Sequence, residues 1–155
     1  MTKKDLIDRA LPFIKKQYPE ASLTPALEHA ITQLQPTFKT LSDIPTALVF
    51  LFEQPMYNYD ELCTIMPAET LVTVSSIVQT HLSSLIKEPE KTLELLKKET
   101  ARQSMPSKEL FQFLRYALMN TISGPAIHEL IDILGSDESR KRIETLIALI
   151  HTQNK

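Results

Sequence analysis

Four histidines, one cysteine and two glycines bound the chemistry open to this 155-residue chain. His29, His81, His128 and His151 lie far apart, and none is embedded in a metal-ligand spacing. His128-Glu129 begins like the helical zinc-protease motif, but position 132 is Asp, so the second imidazole ligand is missing. One turn apart on a helix, His128 and Asp132 read instead as a surface pair. Gly124 and Gly135 cannot furnish a nucleophile elbow, a phosphate-cradling loop or a dinucleotide fingerprint, each of which needs several glycines in close order. Cys63 stands between Leu62 and Thr64 beside no obvious base and reads as structural. No complete catalytic constellation remains, which points to binding rather than bond-making chemistry.

Among candidate binding residues Arg115 is the best placed. On a helical wheel the apolar arc of residues 110–118 leaves Arg115 just outside its edge, with Phe111 one turn earlier and Lys108 beyond on the same side. An arginine there keeps its stem on the core and its guanidinium for a base edge or a phosphate. An ion pair to Glu138 or Asp137 fits the same position equally well. Phe50, Phe52, Phe111 and Phe113 each sit within an apolar helical stretch and read as core. Tyr57 and Tyr59 flank Asn58, where they either stack on a base or seal a helix end; the acidic surroundings favour the seal.

The elements that must position these residues are helical. Ten prolines fall roughly every dozen residues, strand signals are nearly absent, and 43% hydrophobic residues suffice for a packed core. Apolar periodicity predicts helices over 3–17 with a kink at Pro12, over 26–34 after Thr24-Pro25, over 47–52 and over 59–64. Longer helices follow over 67–86 and 89–104, with Leu93, Leu95 and Leu96 facing inward. Ser107 is expected to cap a helix to 119, Pro125 to start one over 126–134, and Gly135 to stop it before a last helix over 136–152. The expected fold is all-α, roughly eight short helices in two packed subdomains, 1–87 and 88–155.

Net charge is −2, but unevenly spread. Residues 1–39 hold six basic and four acidic side chains, residues 40–86 no Lys or Arg and five acids, and residues 87–155 eleven basic and ten acidic. A polyanion would therefore avoid the middle third. Arg140, Lys141 and Arg142 are candidates for neutralising a phosphate backbone, although a solvated helix face explains the same cluster. No apolar run reaches the ~18 residues of a membrane span, so no membrane partner is expected. The N-terminus lacks a secretory h-region, and one cysteine fits a reducing compartment, the cytoplasm or an organelle matrix.

Three segments carry a family resemblance. They are Leu114-Arg115-Tyr116-Ala117-Leu118-Met119-Asn120, then Ser123-Gly124-Pro125-Ala126-Ile127-His128-Glu129, then Leu134-Gly135-Ser136-Asp137-Glu138-Ser139-Arg140-Lys141-Arg142-Ile143. In order and spacing they resemble the C-terminal anticodon-binding region of glutamyl-tRNA synthetases, class I aminoacyl-tRNA synthetases. Upstream, Phe38-Lys39-Thr40-Leu41 and the aromatic run before Glu53-Gln54-Pro55 look like the same family's helical region.

The resemblance implies an all-α module that holds the anticodon arm of tRNA(Glu) in translation. It implies Arg115 and Gly124, Pro125, Ala126 and Ile127 as the approach to the anticodon bases, with Lys108 nearby. Unpaired bases can be splayed and read on their edges, and a helix start offers backbone N–H groups. Asn120 stands where the family often has glycine, and Thr37 where it commonly has an arginine; Lys39 can replace that arginine as a point charge but not as a fork. The family's His-x-Gly-His-type motif and Lys-x-Ser-Lys-type loop are both missing from this sequence, so the chain alone is expected to be inactive as a ligase. ATP and Mg then belong to a catalytic domain of the same synthetase, which becomes a second partner beside tRNA(Glu), with no cofactor in this chain and no DNA. The alternative is a helical protein-interaction module derived from a synthetase.

Overall fold

Among the described residues, proline and three residues of positive φ, Ser104, Asn120 and Gly135, set most corners. The computed structural model describes residues 2–19, 25–35, 54–122 and 126–153; among them are nine α-helices and no strand. The chain divides into two compact units, Met1–Gln54 and Pro55–Lys155.

In the first unit α1 (Lys3–Gln17) starts on Thr2, whose hydroxyl accepts the Asp5 N–H at 3.2 Å. Asp5 near its start and Lys15 and Lys16 near its end match the helix dipole. Leu6, Ile7, Ala10 and Ile14 are buried, and the helix continues through an exposed Pro12. α2 (Pro25–Leu34) packs on α1 and buries Leu27, Ala30 and Ile31. The capping role expected of Thr24 and the helix expected over 47–52 lie outside the described residues.

The second unit opens with α3 (Tyr59–Ile65), capped by the Asn58 side chain, which accepts the Glu61 N–H at 3.0 Å. The helix expected over 67–86 is interrupted. α4 (Ala68–Thr80) ends at His81 (φ −109°, ψ 12°), whose N–H bonds the Val78 carbonyl at 3.2 Å, and α5 (Leu82–Lys87) restarts at once. One apolar seam runs across the break, because Leu71, Val74, Ile77, Val78, Leu82 and Leu85 are all buried.

α6 (Pro89–Arg102) has proline in its first turn, where the missing N–H costs nothing. Leu93 and Leu96 are buried as expected, but Leu95 is 48% exposed and Thr92 and Thr100 take the remaining inward positions. The stripe through 93, 96 and 100 leaves Leu95 about 200° round the helix from Leu93, on the solvated side. Pro89 turns the chain between α5 and α6, which pack on each other within the second unit.

α6 closes with a Schellman motif: Met105 N–H bonds Thr100 O at 2.9 Å and Ser104 N–H bonds Ala101 O at 3.1 Å. Ser104 supplies the left-handed residue (φ 58°) that glycine usually provides. Pro106 precedes α7 (Ser107–Met119) with no side-chain cap, so Ser107 is the first helical residue rather than the cap. α8 (Ile127–Leu134) and α9 (Ser136–Gln153) meet at Gly135 (φ 87°), whose N–H closes α8 on Ile131 O and whose carbonyl accepts the Ser139 N–H.

α9 is the spine of this unit, packing against α3, α4, α5, α7 and α8. Its buried side is Ser139, Arg142, Ile143, Leu146, Ile147 and Ile150. α7 is wrapped almost all round, burying Leu110, Phe113, Leu114, Tyr116, Ala117 and Leu118. At ~1.5–3 kcal/mol for each large apolar side chain removed from water, this pair carries much of the core.

Candidate nucleic-acid interface

Where α6, α7 and the start of α8 meet, they enclose a concavity of about 420 Å³. α6 lines it with Glu90, Leu93, Glu94 and Lys97, α7 with Phe111 and Arg115, and the start of α8 with Ala126, Ile127 and His128. Sequence reasoning named Arg115, Ala126 and Ile127, and the fold brings these three to one surface. Ala126 is the N-cap of α8 and makes no side-chain cap hydrogen bond; its carbonyl accepts the Leu130 N–H at 3.1 Å. The N–H groups of Ile127, His128 and Glu129 therefore precede the helical ladder, at the positive end of the dipole.

Phe111 is not core, as expected, but half-buried in the concave wall. Lys97 Nζ lies 5.5 Å above its ring and 3.1 Å from Glu94 Oε1. With the Lys97 and Glu94 side chains 42% and 69% exposed, the ion pair is worth ~0–1 kcal/mol and the cation–π contact ~0.5–1 kcal/mol. On the same wall His128 Nε2 is 3.8 Å from Glu90 Oε1. Hydrogen-bond donors, carboxylate acceptors and an aromatic face thus share one cleft. Among the described residues no group of three or more His, Cys, Asp or Glu is placed to hold a metal ion.

The basic cluster after Gly135 divides. Arg142 is 2% exposed, donates through Nε to Glu138 Oε1 at 2.8 Å and through Nη1 to Leu118 O at 2.6 Å. It is a structural cation and cannot neutralise a phosphate, a correction that follows from its place on the buried side of α9. Arg140 and Lys141 lie toward solvent beside Asp137 and Glu144, away from the Arg115 concavity, and Arg140 Nη2 reaches Ser83 Oγ at 3.5 Å. Lys108 is exposed in the first turn of α7 and does not line the concavity. Thr37, Lys39, Gly124 and Pro125 lie outside the described residues.

Tyr57 seals rather than stacks on a ligand. Its hydroxyl donates to the carbonyls of Ala117 and Arg142, and its ring packs on Tyr116 with centroids 5.7 Å apart. Tyr116 accepts the Asn58 N–H at 2.9 Å. Burial pushes the Tyr57 hydroxyl far above the ordinary tyrosine range, against the opposing pull of Arg142. Burial also raises Tyr116, opposed by its hydrogen bond with Asn58. Asn120 ends α7 in the left-handed conformation (φ 63°, ψ 23°), its N–H on Tyr116 O at 2.9 Å. This shows how Asn serves where a glycine would be conformationally easier.

Residues 5–147 match the family model of the anticodon binding domain, which is most of the chain. The chain belongs to that anticodon-binding domain family. This anticodon-binding domain is 26% identical over 150 residues to glutamate–tRNA ligase 2 of Syntrophus aciditrophicus, an alignment covering 90% of the chain and 29% of that protein. It is 27% identical over 148 residues to the glutamate–tRNA ligase of Myxococcus xanthus, covering 92% and 30%. Over 127 residues it is 30% identical to glutamate–tRNA ligase 1 of Campylobacter hominis, covering 79% and 27%. The anticodon-binding domain thus spans about three tenths of the length of the curated relatives it matches.

Sequence reasoning missed Lys97, Glu94 and Glu90 as neighbours of Arg115 in the anticodon-binding domain. The signal was weak: the polar face of α6 reads as solvated, and only the packing of α6 against α7 and α8 turns part of it into a wall.

Proposed function

We propose that this chain is the part of a glutamate–tRNA ligase that holds the anticodon arm of tRNA(Glu). One observation carries the reading: Arg115 and the N-terminal turn of α8 line the same concavity. Arg115 is the fork for a base edge or phosphate, Ala126 and Ile127 present backbone N–H groups, and Gly124 and Pro125, just before them in the sequence, belong to the same reading. The names of the relatives support the choice of tRNA(Glu). Lys108 and, from the sequence alone, Lys39 and Thr37 are further candidates of the same reading. Glutamate activation with ATP and Mg falls to a catalytic domain that partners this module.

The test is a low-salt titration of tRNA(Glu) with the parent chain and Arg115→Ala. A base-edge contact predicts a loss of about 1–3 kcal/mol, with Arg115→Lys recovering only part because an ammonium is no fork. An Arg115→Ala chain that folds normally and binds as tightly as the parent overturns the assignment.

A further inference from the structure

We infer that Phe111 is the platform on which one unpaired nucleobase stacks, displacing Lys97 from the ring face. The inference rests on the tRNA reading above and names a recognition residue within it. Phe111 is half-buried on the α7 face that carries Arg115 one turn later, and both line the concavity. A cation 5.5 Å above the ring marks the face that is open to the cleft rather than packed into the core. Among the described residues its ion partner is Glu94, and with the two side chains 42% and 69% exposed the pair is a weak one that a stacking ring can displace.

The occupant is a base rather than an apolar side chain because of what rings the aromatic face. Arg115 offers donors, Glu90 and Glu94 offer acceptors for an exocyclic amine, and the first turn of α8 offers backbone N–H groups. A planar ring with a polar edge can exchange hydrogen bonds with these groups at its rim, whereas an aliphatic side chain would only take them out of water. Aromatic stacking tolerates any base, so Phe111 supplies affinity while the polar rim selects.

The chain contains no tryptophan, which makes F111W a clean reporter. The full chain is titrated with an anticodon stem-loop RNA of tRNA(Glu) at several salt concentrations, alongside F111W, F111Y, F111L and, as a control, L95W on the exposed side of α6. F111L is expected to bind roughly tenfold more weakly with the same salt slope, because stacking releases no counterions. F111Y should bind like the parent, and F111W emission should be quenched at saturation while L95W emission is not. RNA binding by the parent with F111L within twofold of it, or with F111W emission unchanged, overturns the inference alone. No RNA binding by the parent overturns the tRNA reading and this inference with it. Coincident thermal melts of F111Y and F111L separate a lost platform from a lost fold.

Discussion

Arg142 donates its Nη1 proton to the carbonyl of Leu118 at 2.6 Å, so a buried cation on α9 caps the end of α7. Its Nε holds Glu138 one turn earlier, and Tyr57 returns a hydroxyl hydrogen bond to the Arg142 carbonyl at 3.0 Å. The last carbonyls of α7 are orphans by helix geometry, and here Leu118 O is satisfied from α9 and Ala117 O by Tyr57, in the segment before α3. This knot sits one turn beyond Arg115, and it fixes where the chain leaves α7 before reaching the start of α8.

Replacing Arg142 by Ala leaves Leu118 O without its donor and Glu138 without its cation. The expected loss is about 3 kcal/mol, the low end for breaking a buried pair, because the Glu138 side chain keeps 29% exposure to water. Lys141→Ala, one residue away but exposed, should change stability by less than about 0.5 kcal/mol. If Lys141 neutralises a phosphate, its removal instead weakens binding to all RNA sequences alike and lowers the salt slope by about 1. Urea unfolding and salt-dependent titration check both arms; an Arg142→Ala midpoint equal to the parent's would refute the structural role.

Tyr57 and Tyr116 make the fold alkali-sensitive. Burial favours their neutral forms, so their folded pKa values lie above the unfolded value of about 10. Below that pH both states hold the proton and stability is unaffected. Above it the unfolded chain releases protons that the folded chain retains, and stability falls as pH rises. Stability measured from pH 8 to 11 should decline above about 10, and Tyr57→Phe should flatten part of that decline while costing about 1–2 kcal/mol at neutral pH from the lost hydrogen bonds. An unchanged slope in Tyr57→Phe would show that other groups govern the alkaline limb.

Ser104 holds a left-handed conformation for which its Cβ is a handicap. Ser104→Gly removes the steric cost at the C′ position of α6 while keeping both hydrogen bonds of the Schellman motif, and should stabilise by about 0.5–1 kcal/mol. The gain is read from the thermal or urea midpoint. A destabilised Ser104→Gly would mean that the entropy glycine adds to the unfolded chain outweighs the relief of strain.

Helix class, most helix positions and the apolar arc of α7 were legible from the sequence, because helical periodicity is a local property that a few turns reveal. So were the stop at Gly135 and the fitness of Asn120 for a left-handed cap, each set by the conformational range of one residue. The resemblance that singled out Arg115 with Ala126 and Ile127 was legible too. What periodicity does not contain is which helix a given face will meet. Arg142 read as a surface cation until α9 was packed against α7, Phe111 read as core until α6 and α8 left its ring beside a cleft, and Leu95 read as inward until the stripe of α6 was set by its neighbours. Tyr57 and Ala117 are 60 positions apart in the chain, Arg142 and Leu118 24 apart. Such contacts are chosen by the joint packing of many side chains at crystal-like density, and only the tertiary structure decides them.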